Sequence, residues 1–289
     1  MNLNMKVIDK IIAILVLIGV IAYNSYDAYN NSDSNGFSQV HDVINATTSN
    51  DESFFEEEDD QNYSSDNVSE KTTSNNQDII TQIDTSVITL DRIQPYSGEP
   101  YVYINSNIPY FTDEEKSVTE SFETYSELDN LGRAGVAYGL FSNDMMPTEE
   151  RGNISNIYPS GWNQAEYNIV DQNWLYNRCH LIAFSVGGND DERNLITGTR
   201  YMNIEGMWAI EETVYYAIKE NPNLHVLYRV TPMYESNNLV ASGVLMEAYS
   251  VEDNGQTVCF NVFCYNVQPG INIDYTTGAS SMEIDYSKE

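Results

Sequence analysis

Histidine is scarce in this chain, three in 289 residues, and only one of the three has neighbours with which it could do chemistry. His41 lies in a polar stretch, His225 opens a β-branched run, and His180 sits inside Tyr176-Asn-Arg-Cys-His-Leu-Ile182. If that run is a strand, alternation puts His180 and Arg178 on one face and Asn177 and Cys179 on the other. An imidazole beside a guanidinium suits phosphate chemistry: the base takes a proton from water while the cation offsets charge developing on phosphorus.

The segment that follows, from Asp191 to Glu212, is dense in oxygen-bearing side chains, among them Asn194, Asn203, Glu211 and Glu212. Hard divalent cations take such oxygen ligands and keep several waters. Asn203 and Glu211 are eight residues apart, roughly 12 Å along a regular helix, so they could serve one ion only if the helix is irregular or a water intervenes. Glu212 is turned away from the Asn203 face and reads as solvated.

These residues need elements to hold them. Tyr176–Val186 is a strand candidate, 187–192 a polar loop, and 199–220 the best helix, with Thr197 or Thr199 as N-cap and Asn221-Pro222 as its stop. Residues 113–129 have the acidic spacing of a surface helix, and Gly132 to Tyr138 reads as a turn into a strand. Three further strand candidates, 224–233, 239–251 and 257–267, are separated by Asn- or Gly-containing turns and suggest an antiparallel meander. The class is α+β.

Composition limits what such a domain can bind. With 13 Lys+Arg against 44 Asp+Glu the net charge is −31, which excludes a polybasic nucleic-acid binder. Residues 85–289 are acidic in their own right, with 10 basic against 29 acidic side chains, so a polyanion must be held by a local cationic spot or a metal. Three cysteines without paired spacing, Cys179, Cys259 and Cys264, suggest neither a disulfide framework nor a structural zinc site.

The N-terminal third reads differently. Residues 11–23 are uncharged and apolar after Lys6 and Lys10, the layout of a secretory signal or anchor, and Val20-Ile21-Ala22 is an imperfect cleavage site. We expect 1–23 to be a signal peptide or membrane anchor, the retained anchor being favoured. Residues 24–85, rich in Asn, Ser, Asp and Thr with the run Glu56 to Asp60, read as an acidic disordered tether. A folded domain is expected from 86 to 289.

Asn177-Arg178-Cys179-His180, the stretch from Asn194 through Arg200 to Asn203, Glu211, and the late Phe260-Asn-Val and Tyr265-Asn-Val-Gln-Pro-Gly together resemble the DNA/RNA non-specific endonuclease family. The similarity runs from about residue 93 to the end. It implies a ββα-metal (His-Me finger) core, in which a strand pair presents the His and a helix presents the metal ligand. It further implies His180 as general base, Arg178 as a phosphate-contacting arginine, Asn203 as the single protein ligand of hydrated Mg²⁺ or Mn²⁺, and Glu211 as a carboxylate reaching that ion through water. On the substrate side it implies Arg133 as a second arginine, Asn194 as the supporting Asn near the His, and Arg200. Asn177 and Cys179 stand where the family signature has Asp and Gly. The implied function is an extracytoplasmic Mg-dependent hydrolase of DNA and RNA with little sequence preference; the alternative is a surface-tethered binding module of the same fold with impaired catalysis.

Overall fold

The computed structural model describes residues 88–283. The expected anchor, the tether and the first residues of the expected domain lie outside the described residues. Within them the strands are β1 (Tyr101–Tyr103), β2 (Phe122–Tyr125), β3 (Ala137–Phe141), β4 (Tyr176–His180), β5 (Leu195–Thr199), β6 (Val226–Met233), β7 (Gly243–Ser250), β8 (Cys259–Tyr265), β9 (Ile271–Ile273) and β10 (Ser280–Met282). The α-helices are α1 (Asp113–Lys116) and α2 (Ala209–Glu220), and a π-helical stretch, Met202–Trp208, runs directly into α2.

Six strands form one antiparallel sheet in the order β1-β8-β7-β6-β3-β2. The meander anticipated from the three late runs is β6-β7-β8. Period-two alternation divides its side chains cleanly between two faces. Ala137, Phe141, Val226, Tyr228, Val230, Val244, Met246, Val262 and Cys264 face one way, where Met202, Met207, Val214, Ala217 and Ile218 of the helix close over them. Tyr138, Leu140, Leu227, Leu245 and Phe263 face the other way and are covered by the chain from Ile88 to Val118. Each such large side chain contributes about 1.5–3 kcal/mol by leaving water, and both layers are needed because the strands are apolar on both sides.

Two expected elements differ. Residues 113–129 form a single helical turn followed by β2. Thr112 accepts from the Glu115 amide while the Glu115 carboxylate accepts from the Thr112 amide, a capping box that starts α1. The other Glu115 carboxylate oxygen accepts from Arg229 at 2.9 Å, so an acid of the expected surface helix is drawn into the protein. The aromatic and β-branched run Phe122–Tyr125 then pairs with β3 instead of continuing a helix. The expected strand 176–186 stops at His180, and the chain turns through a 3₁₀ segment, Phe184–Val186, ending at Gly187 with φ +117°.

Strands β4 and β5 form a separate antiparallel pair in which His180 lies opposite Leu195 and Asn177 opposite Gly198. Two strands are too few to be stable alone, and buried amide side chains dock this pair by mimicking peptide groups. Gln164 donates to the Tyr176 carbonyl at 2.6 Å and accepts from its amide at 2.9 Å, occupying the free edge of β4. Asn266, fully buried, accepts from the Thr199 amide and donates to the Thr197 and Ala241 carbonyls. Cys179, which replaces the signature glycine, fits because its diagonal neighbour on β5, Gly198, has no side chain: a Cβ there would come within 2.3 Å of the Cys179 sulfur.

Candidate active site

His180 ends β4 and is 8 % exposed. Its Nε2 is 2.9 Å from Asp190 Oδ1 and its Nδ1 is 3.0 Å from an Arg151 Nη. A guanidinium has only donors, so Nδ1 must accept, and the neutral ring then carries its proton on Nε2 and donates it to Asp190. The arrangement selects one tautomer and aims a basic lone pair at Arg151. The second Asp190 oxygen accepts from the Gly152 amide at 3.1 Å, and Arg151 Nε lies 3.9 Å from Asp190. Burial pushes the Asp190 carboxyl up, but the hydrogen bond from His180, the positive charge of Arg151 and the Gly152 amide together hold it below its ordinary value.

Asn194 positions this dyad. It is fully buried, accepts from the Ile182 amide at 2.9 Å, and donates to the carbonyls of Ile182 and Asn189. Its backbone carbonyl accepts from Leu181. One side chain thus ties the residues just after His180 to the residue just before Asp190. Asn194, expected as the supporting Asn near the His and on the substrate side, has no exposed surface and both amide ends engaged in bracing this loop.

Arg178, two residues before His180, donates to the carbonyls of Ile157 at 2.5 Å and Ser155 at 2.7 Å, with the Trp162 and Tyr158 rings 4.2 and 5.4 Å away. Among the described residues no carboxylate lies within ion-pair distance of it, whereas Arg193 is paired with Asp191 and Glu127, and Arg229 with Glu115 and Glu247. In an acidic domain an arginine left without a carboxylate is a local positive centre.

The other two arginines fall elsewhere. Arg133 donates to Asp129, Ser236 and Asn238 and lies over the Tyr234 ring, fastening the loop before β3 to the turn between β6 and β7. It is Arg151 that the structure seats against His180. Arg200 makes a two-donor contact with Asp171 and its guanidinium is spent there.

The helix begins as expected at Thr199, whose hydroxyl accepts from the Met202 amide at 3.0 Å, and stops where Asn221 returns two bonds to the Ala217 carbonyl. Its irregularity resolves the spacing problem. A π turn closes i→i+5 and so holds about one residue more than an α turn. Eight residues across Met202–Trp208 therefore wind about two turns, which puts Asn203 and Glu211 on one face and leaves Glu212 off it. Glu211 has no hydrogen-bond partner among the described residues. Burial pushes its carboxyl up to about 8, the Arg151 charge opposing and Glu212 adding to the rise. Buried Tyr228 and Cys264, themselves raised by burial first, feel its charge too. Arg151 thus lies in the field of both Asp190 and Glu211, joining the hairpin's chemistry to the helix's. A carboxylate without a hydrogen-bond partner among the described residues, on the same helix face as an amide side chain, suits a hard cation. Among the described residues no three His, Cys, Asp or Glu side chains converge on a point, so an ion held here would keep most of its waters.

Arg151 and Asp190 are the two residues that sequence reading missed. Asp190 lay in a run read only as a polar loop. Arg151 follows Glu149-Glu150 in a section without periodicity, and its one signal was the scarcity of cations in so acidic a chain.

Residues 112–252 match the model of the DNA/RNA non-specific endonuclease family, a span that includes His180, Arg151, Asp190, Asn203 and Glu211. A deoxyribonuclease from Streptococcus dysgalactiae subsp. equisimilis is 29 % identical over 215 residues, covering 60 % of this chain and 65 % of the streptococcal one. The chain thus spans just under two thirds of that curated relative. The structure of Sda1 nuclease with bound zinc superposes with a TM-score of 0.55 at 27 % identity, over 64 % of this chain and 97 % of the other. NucA from Streptococcus agalactiae with magnesium bound gives 0.56 at 25 % identity, over 65 % and 91 %.

Proposed function

We propose, from the match of residues 112–252 to the model of the DNA/RNA non-specific endonuclease family, that the chain hydrolyses phosphodiester bonds in DNA and RNA with the aid of a divalent cation. The observation that carries this reading is the His180 ring, fixed at Nε2 by Asp190 with its Nδ1 lone pair held against Arg151. His180 Nδ1 takes the proton of the attacking water, and Asp190 stabilises the imidazolium that forms. Arg151 occupies the place beside Nδ1 until a phosphate draws its donors away; it and Arg178 then offset the charge that builds on phosphorus. Asn203 would hold the cation directly and Glu211 through water. That cation, Mg²⁺ with Mn²⁺ as a substitute, would supply charge stabilisation to the transition state and the leaving oxygen; the similar solved structures carry zinc in one case and magnesium in another.

We further place the folded domain at residues 86–289, outside the cytoplasm, held by 1–23 on the tether 24–85. The apolar run 11–23 and the acidic composition after it support this. No helix among the described residues is long and apolar enough to cross a membrane. Incubation with plasmid DNA and with RNA in millimolar MgCl₂ should degrade both, and excess EDTA should stop it. Asn203→Ala should lose far more activity than Glu212→Ala. Undiminished cutting in EDTA removes the metal from the mechanism.

A further inference from the structure

Beside Arg178, two residues before His180 on β4, stands an aromatic side chain whose exposure the fold itself does not require. Tyr158 is 69 % exposed, the most of any large apolar or aromatic side chain in the described residues, yet it is held firmly. The carbonyl of Ile157 before it is bound by Arg178 at 2.5 Å. Pro159 after it is buried. Ser160 then donates to the Leu239 carbonyl at 2.6 Å and accepts from the Thr197 hydroxyl of β5 at 2.9 Å. The ring is therefore presented to solvent from a loop fastened on both sides, with the Arg178 guanidinium toward its inner side and Trp162 beyond.

We propose that Tyr158, with Trp162 and Arg178, forms a stacking subsite for an unpaired nucleobase flanking the phosphate presented to His180. The inference deepens the nuclease reading and rests on it. Arg178 and His180 are two residues apart on β4, about 7 Å, a span that one nucleotide bridges. An aromatic face next to a guanidinium accepts any of the four bases, because every base has a π-face. Stacking also needs no positive field, which matters in a chain of net charge −31 that repels polyanions at longer range. In a duplex the bases are already stacked on one another, and drawing one out has a cost, so the subsite favours single-stranded DNA or RNA and distorted duplex ends.

The test compares oligonucleotides of equal length and charge, one with bases and one with abasic sugars. Binding is measured to the full chain carrying His180→Ala in Mg²⁺, so that the strand survives. Base-bearing single strand should bind more tightly than abasic strand by roughly 5- to 100-fold, the range of one base–aromatic stack. Tyr158→Ala and Tyr158→Leu should collapse that ratio toward one, Tyr158→Phe should keep it, and duplex affinity should stay within about twofold. A ratio that survives Tyr158→Ala and Tyr158→Leu overturns the subsite, as does an equal loss on both strands, the mark of a loop merely loosened. Failure of the base-bearing strand to bind at all also counts against it. Plasmid cutting by the unmodified chain in Mg²⁺ is read separately: a chain that cuts but shows no Tyr158-dependent ratio defeats the subsite alone, and a chain that does not cut defeats the nuclease reading.

Discussion

Two charge clusters, one sealed from water and one partly open to it, lie on opposite faces of the six-stranded sheet, and they are built to opposite ends. Under the cover of residues 88–118, Arg229 of β6 donates to Glu247 directly across on β7 at 2.8 Å and to Glu115 at 2.9 Å, between the rings of Phe111 and Tyr138. The second Glu247 oxygen accepts from the Tyr110 amide. Both Glu247 carboxylate oxygens have a donor, and the group is nearly sealed from water. On the helix-covered face the His180 Nδ1 lone pair faces the Arg151 guanidinium, and Glu211 has no hydrogen-bond partner among the described residues. A closed network can only hold structure. An incompletely closed one has groups left to give to a proton, a phosphate or a metal, and this difference, more than burial or charge, separates the site from its structural counterpart.

The comparison breaks most sharply at His180. His180→Ala should reduce cleavage by about 10²- to 10⁴-fold, the range of a lost general base, with the melting temperature nearly unchanged. His225, which pairs with Glu252 at 2.6 Å on a partly exposed rim, should tolerate alanine with activity close to that of the parent. Equal losses in the two variants would mean that the wrong histidine has been assigned.

Arg229→Ala should do the reverse. Removing one member of a buried ion pair leaves its carboxylate partners uncompensated and costs about 3–5 kcal/mol. Urea titration should therefore show a large drop in stability, while the activity of the fraction that remains folded stays close to normal. A folded Arg229→Ala protein that is specifically inactive would show that this face takes part in the chemistry after all.

Legibility from sequence followed the same division. Periodicity and turn residues located β6, β7 and β8, the β4 strand and the 199–220 helix, because local pattern decides strands and helices that bury one or both faces. It failed at 113–129, where Glu115 is drawn inward by Arg229, a partner 114 residues away that no local window contains. The π stretch could be named only as a condition, since nothing in Met202–Trp208 announces an i→i+5 turn. His180, Arg178, Asn203 and Glu211 could be singled out because they stand on periodic elements. Arg151 and Asp190 come from loops, and their role exists only once Asn194 and the Gly152 amide have folded those loops onto the histidine.

Asp190→Asn tests whether the dyad works as a unit. The amide can still accept from Nε2 but no longer offsets the imidazolium charge, so activity should fall by about 10- to 100-fold, as when an orienting partner is lost, with little change in KM. The stability effect has a fixed sign. Because the folded protein holds Asp190 below its ordinary value, its contribution is present above about pH 4 and is lost as pH falls through the folded value. Asp190→Asn should thus flatten the acid side of a plot of melting temperature against pH. Unchanged activity together with an unchanged acid limb would leave Asp190 a bystander.

Glu211 carries a pH dependence of stability whose sign is opposite to that of Asp190. With its carboxyl pushed up to about 8 in the protein without a cation, the folded chain keeps a proton that the unfolded chain releases above about pH 4.5. Stability is therefore complete below that value and declines as pH rises toward 8, with a limiting slope of about 1.4 kcal/mol per pH unit if a full proton is involved. Melting curves in EDTA should show this decline, and Glu211→Gln, which cannot ionise, should remove most of it. Mg²⁺ acts on the same carboxylate from the other side: a nearby cation favours the charged form, so the stabilisation that Mg²⁺ confers should grow between pH 5 and 8 in the parent and stay flat in Glu211→Gln. Arg229→Ala should keep the parent's Mg²⁺ dependence whatever its lower baseline, because its network lies on the far face. Parallel pH slopes in the parent and Glu211→Gln, with equal Mg²⁺ shifts, would detach Glu211 from the cation and leave it a buried acid with no more function than Glu247.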